Sequence, residues 1–154
     1  MGRYVIDSLL EKGHSIKALL ISPEDTAHLA DHKHLEIVCG DITDSETLIG
    51  VAEEADAVIH LAAIIDYTAP ESTVYKVNTE GTRNLLKECS ESSVKKFIYI
   101  SSTAVYGKDL PKELIKEDHP LKPNNAYGKS KMLAEEEVLK YKSKMNVVIL
   151  RLSM

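Results

Sequence analysis

Residues 97–107, FIYISSTAVYG, and 123–137, PNNAYGKSKMLAEEE, decide how this chain is read. The first opens as an apolar run without polar alternation, the pattern of a strand covered on both faces, and closes in hydroxyl residues. The second enters a helical pattern over Ala126–Tyr141. On a helix, residues four apart share one face, so the Tyr127 phenol and the Lys131 ammonium are expected side by side. A free tyrosine has a pKa of about 10 and is a poor acid or base at neutral pH. A neighbouring cation favours the phenolate and lowers that value. A hydroxyl from Ser102 or Thr103 opposite would hold a substrate oxygen against the same phenol. Such a grouping can move a proton on and off an alcohol while a cofactor moves a hydride. Taken alone, Tyr-x-x-x-Lys is more simply a surface tyrosine beside a solvated lysine, and Ser102 has the alternative of a strand-end serine bonding backbone. The order of the surrounding segments decides between them.

Working outward, short apolar runs alternate with helical patterns. Ile16–Ile21, Leu35–Val38, Ala57–Ala62, Phe97–Ile100 and Val147–Leu150 read as strands. Helices are expected over Gly2–Lys12, stopped by Gly13, over Asp44–Glu53, capped by its aspartate, and over Val74–Cys89 and Ala126–Tyr141. Pro23, Pro70, Pro111, Pro120 and Pro123 fall in connections. The longest irregular stretch, Lys108–Asn125, lies between the serine and tyrosine segments and is read as the border of an active site. This alternation predicts an α/β fold with a doubly wound parallel sheet.

The 154 residues suit one domain with a sizeable core, and 44% hydrophobic with 28% charged residues is ordinary for a globular protein. A formal net charge of −5 argues against a nucleic-acid-binding surface, and no apolar run reaches the length of a membrane span. With no signal peptide visible, a cytoplasmic location is expected. Cys39 and Cys89 lack metal spacing and are read as free thiols. The six histidines do not cluster, and no metal site is expected.

The pieces GHSIKALLIS, VCGDITD, AVIHLAA, VNTEGTRNLL, KKFIYISSTAVYG, NAYGKSK and VVILRLS stand in an order that resembles the extended short-chain dehydrogenase/reductases. That group holds nucleotide-sugar epimerases and dehydratases, 3β-hydroxysteroid dehydrogenases and dihydroflavonol reductases, and the resemblance covers nearly the whole chain. It implies a Rossmann-like sheet and catalytic roles for Ser102, Tyr127 and Lys131. Ser102 would donate to the substrate oxygen, and Tyr127 would be the acid/base. Lys131 would lower the pKa of that phenol and hold the nicotinamide ribose. For the cofactor the resemblance implies Gly2 at the pyrophosphate, Asp41 at the adenine amino group with Ile42 beside the ring, and the small strand-end residues Leu61, Ala62 and Ala63. Asn78 would position the proton relay from the helix behind. An acid at the end of the second strand selects NAD and an arginine NADP. Ile21-Ser22-Pro23-Glu24 supplies neither clearly, with a lean to NAD and NADP possible.

Relative to that family the chain is expected to be a single partial dinucleotide-binding domain, residues 1–154, lacking the usual first strand and the C-terminal substrate lobe. Either the strand at Ile16 then shifts to pair with the one at Ala57, or another segment fills the slot. The implied function is an NAD(P)-dependent epimerase, dehydratase or reductase. Its substrate would be a small-molecule secondary alcohol or ketone, such as a nucleotide sugar. The alternatives are a non-catalytic dinucleotide-binding protein or an inactive fragment. A homodimer through the helices Val74–Cys89 and Ala126–Tyr141 is expected.

Overall fold

The computed structural model describes residues 1–22, 29, 32–108, 111–112 and 114–153. Helix α1 (Gly2–Glu11) is followed by strands β1 (Ile16–Leu20) and β2 (Leu35–Cys39), which pair in parallel with Ile16 opposite Leu35. A second parallel sheet, in the order β3-β4-β5, joins Ala57–His60, Lys96–Ser102 and Asn146–Leu152. A continuous helical rod links β3 to β4. It consists of α2 (Glu71–Tyr75), a π-helical stretch (Lys76–Gly81) and α3 (Thr82–Glu91). Helix α4 (Ala126–Leu139) links β4 to β5. Within each sheet, strands consecutive in the chain lie side by side and run parallel.

The core lies where α3 and α4 cover the three-stranded sheet. Phe97 and Tyr99 of β4 are completely buried among Leu86, Cys89, Ala134 and Val138. Burying a side chain such as Phe97 contributes about 1.5–3 kcal/mol. Strand β4 carries most of this burial because it is the middle strand, with neighbours on both edges and helices above.

Four expectations change. The apolar run of β2 is not covered on both faces, since Ile37 is 39% exposed and Cys39 is exposed. This strand is an edge of the two-stranded piece, and none of α1's residues is fully buried against that piece. Second, Asp44–Glu53 is not an α-helix. Asp44 does cap, accepting the Glu46 N–H at 3.1 Å, but only Ser45–Leu48 forms a 3₁₀ turn. Ile49 is extended, and Gly50 and Glu54 take φ of 79° and 63°, where no right-handed helix continues. Third, the rod over Val74–Cys89 begins earlier, at Glu71, and contains the π-helical stretch. Fourth, among the described residues β1 does not pair with β3, and no segment lies between them in either sheet. Each keeps one unpaired edge. Among the described residues no helix is long and apolar enough to cross a membrane.

Candidate active site

The C-terminal ends of β3, β4 and β5 and the first turns of α4 enclose a small cleft. Leu61, Ala63, Ser101, Ser102, Tyr127 and Lys131 line it, with Met1 and Leu152 also on its wall. The sheet builds one wall and α4 the other. Asn125 fixes where α4 starts, its side-chain oxygen accepting the Gly128 N–H at 2.7 Å. Replacing such a cap by alanine costs about 1 kcal/mol. Gly128 is required at the same place. A Cβ there would stand 2.6 Å from the Ala104 carbonyl oxygen, so only glycine lets α4 close on the turn after β4.

Ser102 and Tyr127 meet in this cleft as the spacing predicts. The Ser102 oxygen accepts the Ala104 N–H at 3.1 Å and so caps the turn Thr103–Tyr106. The strand-end reading and the catalytic reading are therefore compatible, because a hydroxyl that accepts one bond still has its proton to donate. Tyr127 is 5% exposed, with Tyr67 edge-on to its ring at 6.2 Å.

The expected depression of the Tyr127 pKa is not found. Burial raises it, the Ser102 hydroxyl opposes the rise, and the Tyr67 phenol adds to it. Lys131 does not lower it, because its Nζ turns inward, donating to the Ile100 carbonyl at 2.8 Å and lying 4.7 Å from the centre of the Tyr99 ring. Tyr127 is accordingly a neutral phenol, in the form that gives a proton. Burial pulls the Lys131 ammonium down to about 8, while the Glu135 carboxylate opposes that fall.

Behind the cleft is a layer of buried polar groups. Asn78 is fully buried, and its oxygen accepts the Ile64 N–H at 2.8 Å. Its nitrogen donates to the Ile64 carbonyl and to the Ser130 hydroxyl, both at 3.0 Å. Its amide therefore holds the loop after β3 against α4. Thr82 gives its one proton to the Asn78 carbonyl at 2.7 Å, which leaves His60 Nε2 as the donor in the 2.9 Å contact with the Thr82 oxygen. His60 is thus neutral, and burial, with help from Lys131, holds it down at about 3. The Tyr99 hydroxyl is buried without a regular hydrogen bond.

The residues expected at the cofactor are placed unevenly. Leu61 and Ala63 line the cleft, whereas Ala62 is exposed beside it. Gly2 opens α1 with empty space around its Cα. Asp41 follows β2 and spends Oδ1 on the Thr43 N–H at 2.8 Å. Ile42 is 6% exposed and packs into the core, close enough to Gly81 that a Cβ there would lie 2.7 Å from its side chain. Of the segment expected to choose between NAD and NADP, Pro23 and Glu24 lie outside the described residues. Cys39 and Cys89 are free thiols, and burial pushes the Cys89 thiol up to about 12.

Two participants escaped the sequence reading. Buried Glu135 and partly buried Arg151 form an ion pair, Arg151 Nη2 lying 2.7 Å from Glu135 Oε2. The available signal was helical spacing, since Glu135 stands four residues after Lys131 on the same face.

The comparisons agree with this architecture. The chain matches the NAD dependent epimerase/dehydratase family over residues 1–154. It is 42% identical over 106 residues to an N-acetyl-alpha-D-glucosaminyl-diphospho-ditrans,octacis-undecaprenol 4-epimerase of Escherichia coli O157:H7, covering 68% of this chain and 31% of that protein. A 3-beta-hydroxysteroid dehydrogenase of Mycolicibacterium neoaurum is 30% identical over 148 residues, covering 90% of this chain and 40% of that protein. Among solved structures, a short-chain dehydrogenase/reductase superfamily protein from Agrobacterium tumefaciens with bound NAD superposes with a TM-score of 0.84 at 35% identity, covering 97% of this chain and 45% of that one. The chain thus spans less than half the length of each. With the family pattern matched from the first residue to the last, the chain belongs to the NAD-dependent epimerase/dehydratase family.

Proposed function

We propose that the protein is an NAD-dependent epimerase, dehydratase or reductase acting on a secondary alcohol or ketone, with Tyr127 as its acid/base. The observation that carries this reading is the convergence of Tyr127, Ser102 and Lys131 on one cleft with Leu61 and Ala63, which follow β3. The cleft measures about 80 Å³. Its wall is apolar apart from two hydroxyls, a phenol and an ammonium. When bound, NAD supplies hydride transfer at its nicotinamide. The chain's own groups handle the proton. Ser102 donates a hydrogen bond to the substrate oxygen and fixes it beside the phenol. Tyr127, neutral in its buried setting, delivers its proton to that oxygen as a carbonyl is reduced and recovers it as an alcohol is oxidised. Lys131 supplies donors for the ribose hydroxyls. The relative that is a 4-epimerase of a diphospho-linked sugar favours a sugar joined through a diphosphate as the substrate class.

The test is Tyr127→Phe, assayed with NAD and NADP against diphospho-linked sugars and hydroxysteroids. Loss of a positioned acid/base lowers turnover by about 10²–10⁴-fold. Cofactor affinity, read by calorimetry, is expected to stay near that of the unmodified protein. Normal turnover in Tyr127→Phe would refute the assignment.

A further inference from the structure

Glu135 is 2% exposed, yet it carries a carboxylate with four hydrogen bonds. Ser101 on β4 donates to Oε1 at 2.5 Å. From β5, Arg151 Nε donates to Oε1 at 3.0 Å and to Oε2 at 3.3 Å, and its Nη2 donates to Oε2 at 2.7 Å. The same guanidinium reaches outward with Nη1, which donates to the Tyr106 hydroxyl at 2.7 Å and to the Glu117 carbonyl at 2.8 Å. Tyr106 in turn donates to the Lys116 carbonyl at 3.4 Å and holds His119 edge-on at 5.8 Å. One ion pair therefore ties together α4, β4, β5 and the irregular segment after Gly107, one helical turn beyond Lys131. The Glu135 side chain is 3% exposed and that of Arg151 20%, so the carboxylate is withdrawn from water while the guanidinium still reaches it.

We propose that Glu135 and Arg151 are positioning residues of the site, Glu135 placing a carboxylate one helical turn behind Lys131 and Arg151 pinning the segment around Lys116–Glu117 to the sheet. Neither touches the cleft; both act through others. The groups that face Lys131 are few. Tyr127 and Glu135 share its helix, Tyr99 and Ser101 come from β4, neutral His60 from β3, and Arg151 stands behind Glu135 on β5. Met1 lines the mouth of the cleft. Glu135 is the one anion in this set, so it is the group that can offset the burial of an ammonium. The consequence for catalysis rests on the role proposed above for Lys131; the charge coupling does not.

The experiment titrates Lys131 by ¹³C-lysine NMR in the protein and in Glu135→Gln, which keeps the volume of the side chain and removes its charge. The Lys131 midpoint is expected to fall by about one pH unit or more. Glu135→Asp, with the charge retained, is expected to restore most of that shift. A folded Glu135→Gln with an unmoved Lys131 midpoint overturns the proposal, whatever the outcome of the Tyr127 test. Should Glu135→Gln fail to fold, Lys131 is titrated in Arg151→Met and in Arg151→Met combined with Glu135→Gln; a lower midpoint in the double variant is expected, and equal midpoints overturn the proposal. Arg151→Lys tests the second half. It keeps the charge and loses the fork, so Lys131 should titrate as before while trypsin cleaves after Lys116 at least several times faster. An unchanged cleavage rate there overturns the pinning role.

Discussion

Asn78→Ala separates an anchoring role for this amide from one in proton transfer. The side chain is fully buried and makes three hydrogen bonds, at 2.8, 3.0 and 3.0 Å, two of them to the backbone of Ile64. Each is worth about 0.5–1.5 kcal/mol net. Ser130 keeps a partner, since its hydroxyl donates to the Tyr127 carbonyl at 2.8 Å. Ile64 is only half-buried, so water can reach its freed N–H and C=O and the full penalty of orphaned groups does not apply. The sum is about 2–4 kcal/mol. In a protein of this size that lowers the melting temperature by roughly 4–16 °C, at about 2–4 °C per kcal/mol. Urea unfolding monitored by circular dichroism measures the first quantity and a thermal melt the second. A loss below about 1 kcal/mol, the worth of a single net hydrogen bond, combined with lost turnover, would refute the anchoring argument and favour a relay.

Two further outcomes follow from the same layer and from the helices above it. His60 has a folded pKa near 3 against an ordinary 6.5, so between those values the unfolded chain binds the extra proton. Stability should therefore rise with pH from about 3 to 6.5 and be lost as pH falls through that window. His60→Gln should flatten this part of the urea stability profile, and an unaltered slope would contradict the neutral, buried assignment. The second outcome is a homodimer through the rod Glu71–Glu91 and α4. The outward residues Glu80, Arg83, Lys87, Lys129 and Glu136 of these helices are exposed and charged, so the dimer should weaken in high salt. Light scattering that finds a monomer at low salt would exclude it.

The strands β3, β4 and β5 were legible because a covered parallel strand is written locally, as an apolar run, whereas β1 and β2 were read from runs that Lys17 and Glu36 interrupt. The meeting of Ser102 and Tyr127 was legible for a similar reason. A strand end and the first turn of the next crossover helix must come together at the C-terminal edge of such a sheet. What escaped depends on partners distant in sequence. The inward aim of Lys131 is set by the Ile100 carbonyl and the Tyr99 ring. The Glu135–Arg151 pair joins residues 16 apart on different elements. The π-helical stretch at Lys76–Gly81 has no compositional mark. The false helix at Asp44–Glu53 carried a genuine cap, but Gly50 turns the chain before a second turn can form.

The unpaired edge of β1 has a consequence for hydrogen exchange. Ile16 donates to the His34 carbonyl at 2.8 Å and Leu20 accepts from Gly40 at 2.9 Å, so Ile16, Ala18 and Leu20 turn their peptide groups toward β2. In a parallel ladder the alternate residues point the other way. The amides of Lys17 and Leu19 therefore face the open side, where among the described residues neither has a backbone acceptor. Within one strand of five residues, deuterium uptake should alternate: slow at Ala18 and fast at its two neighbours.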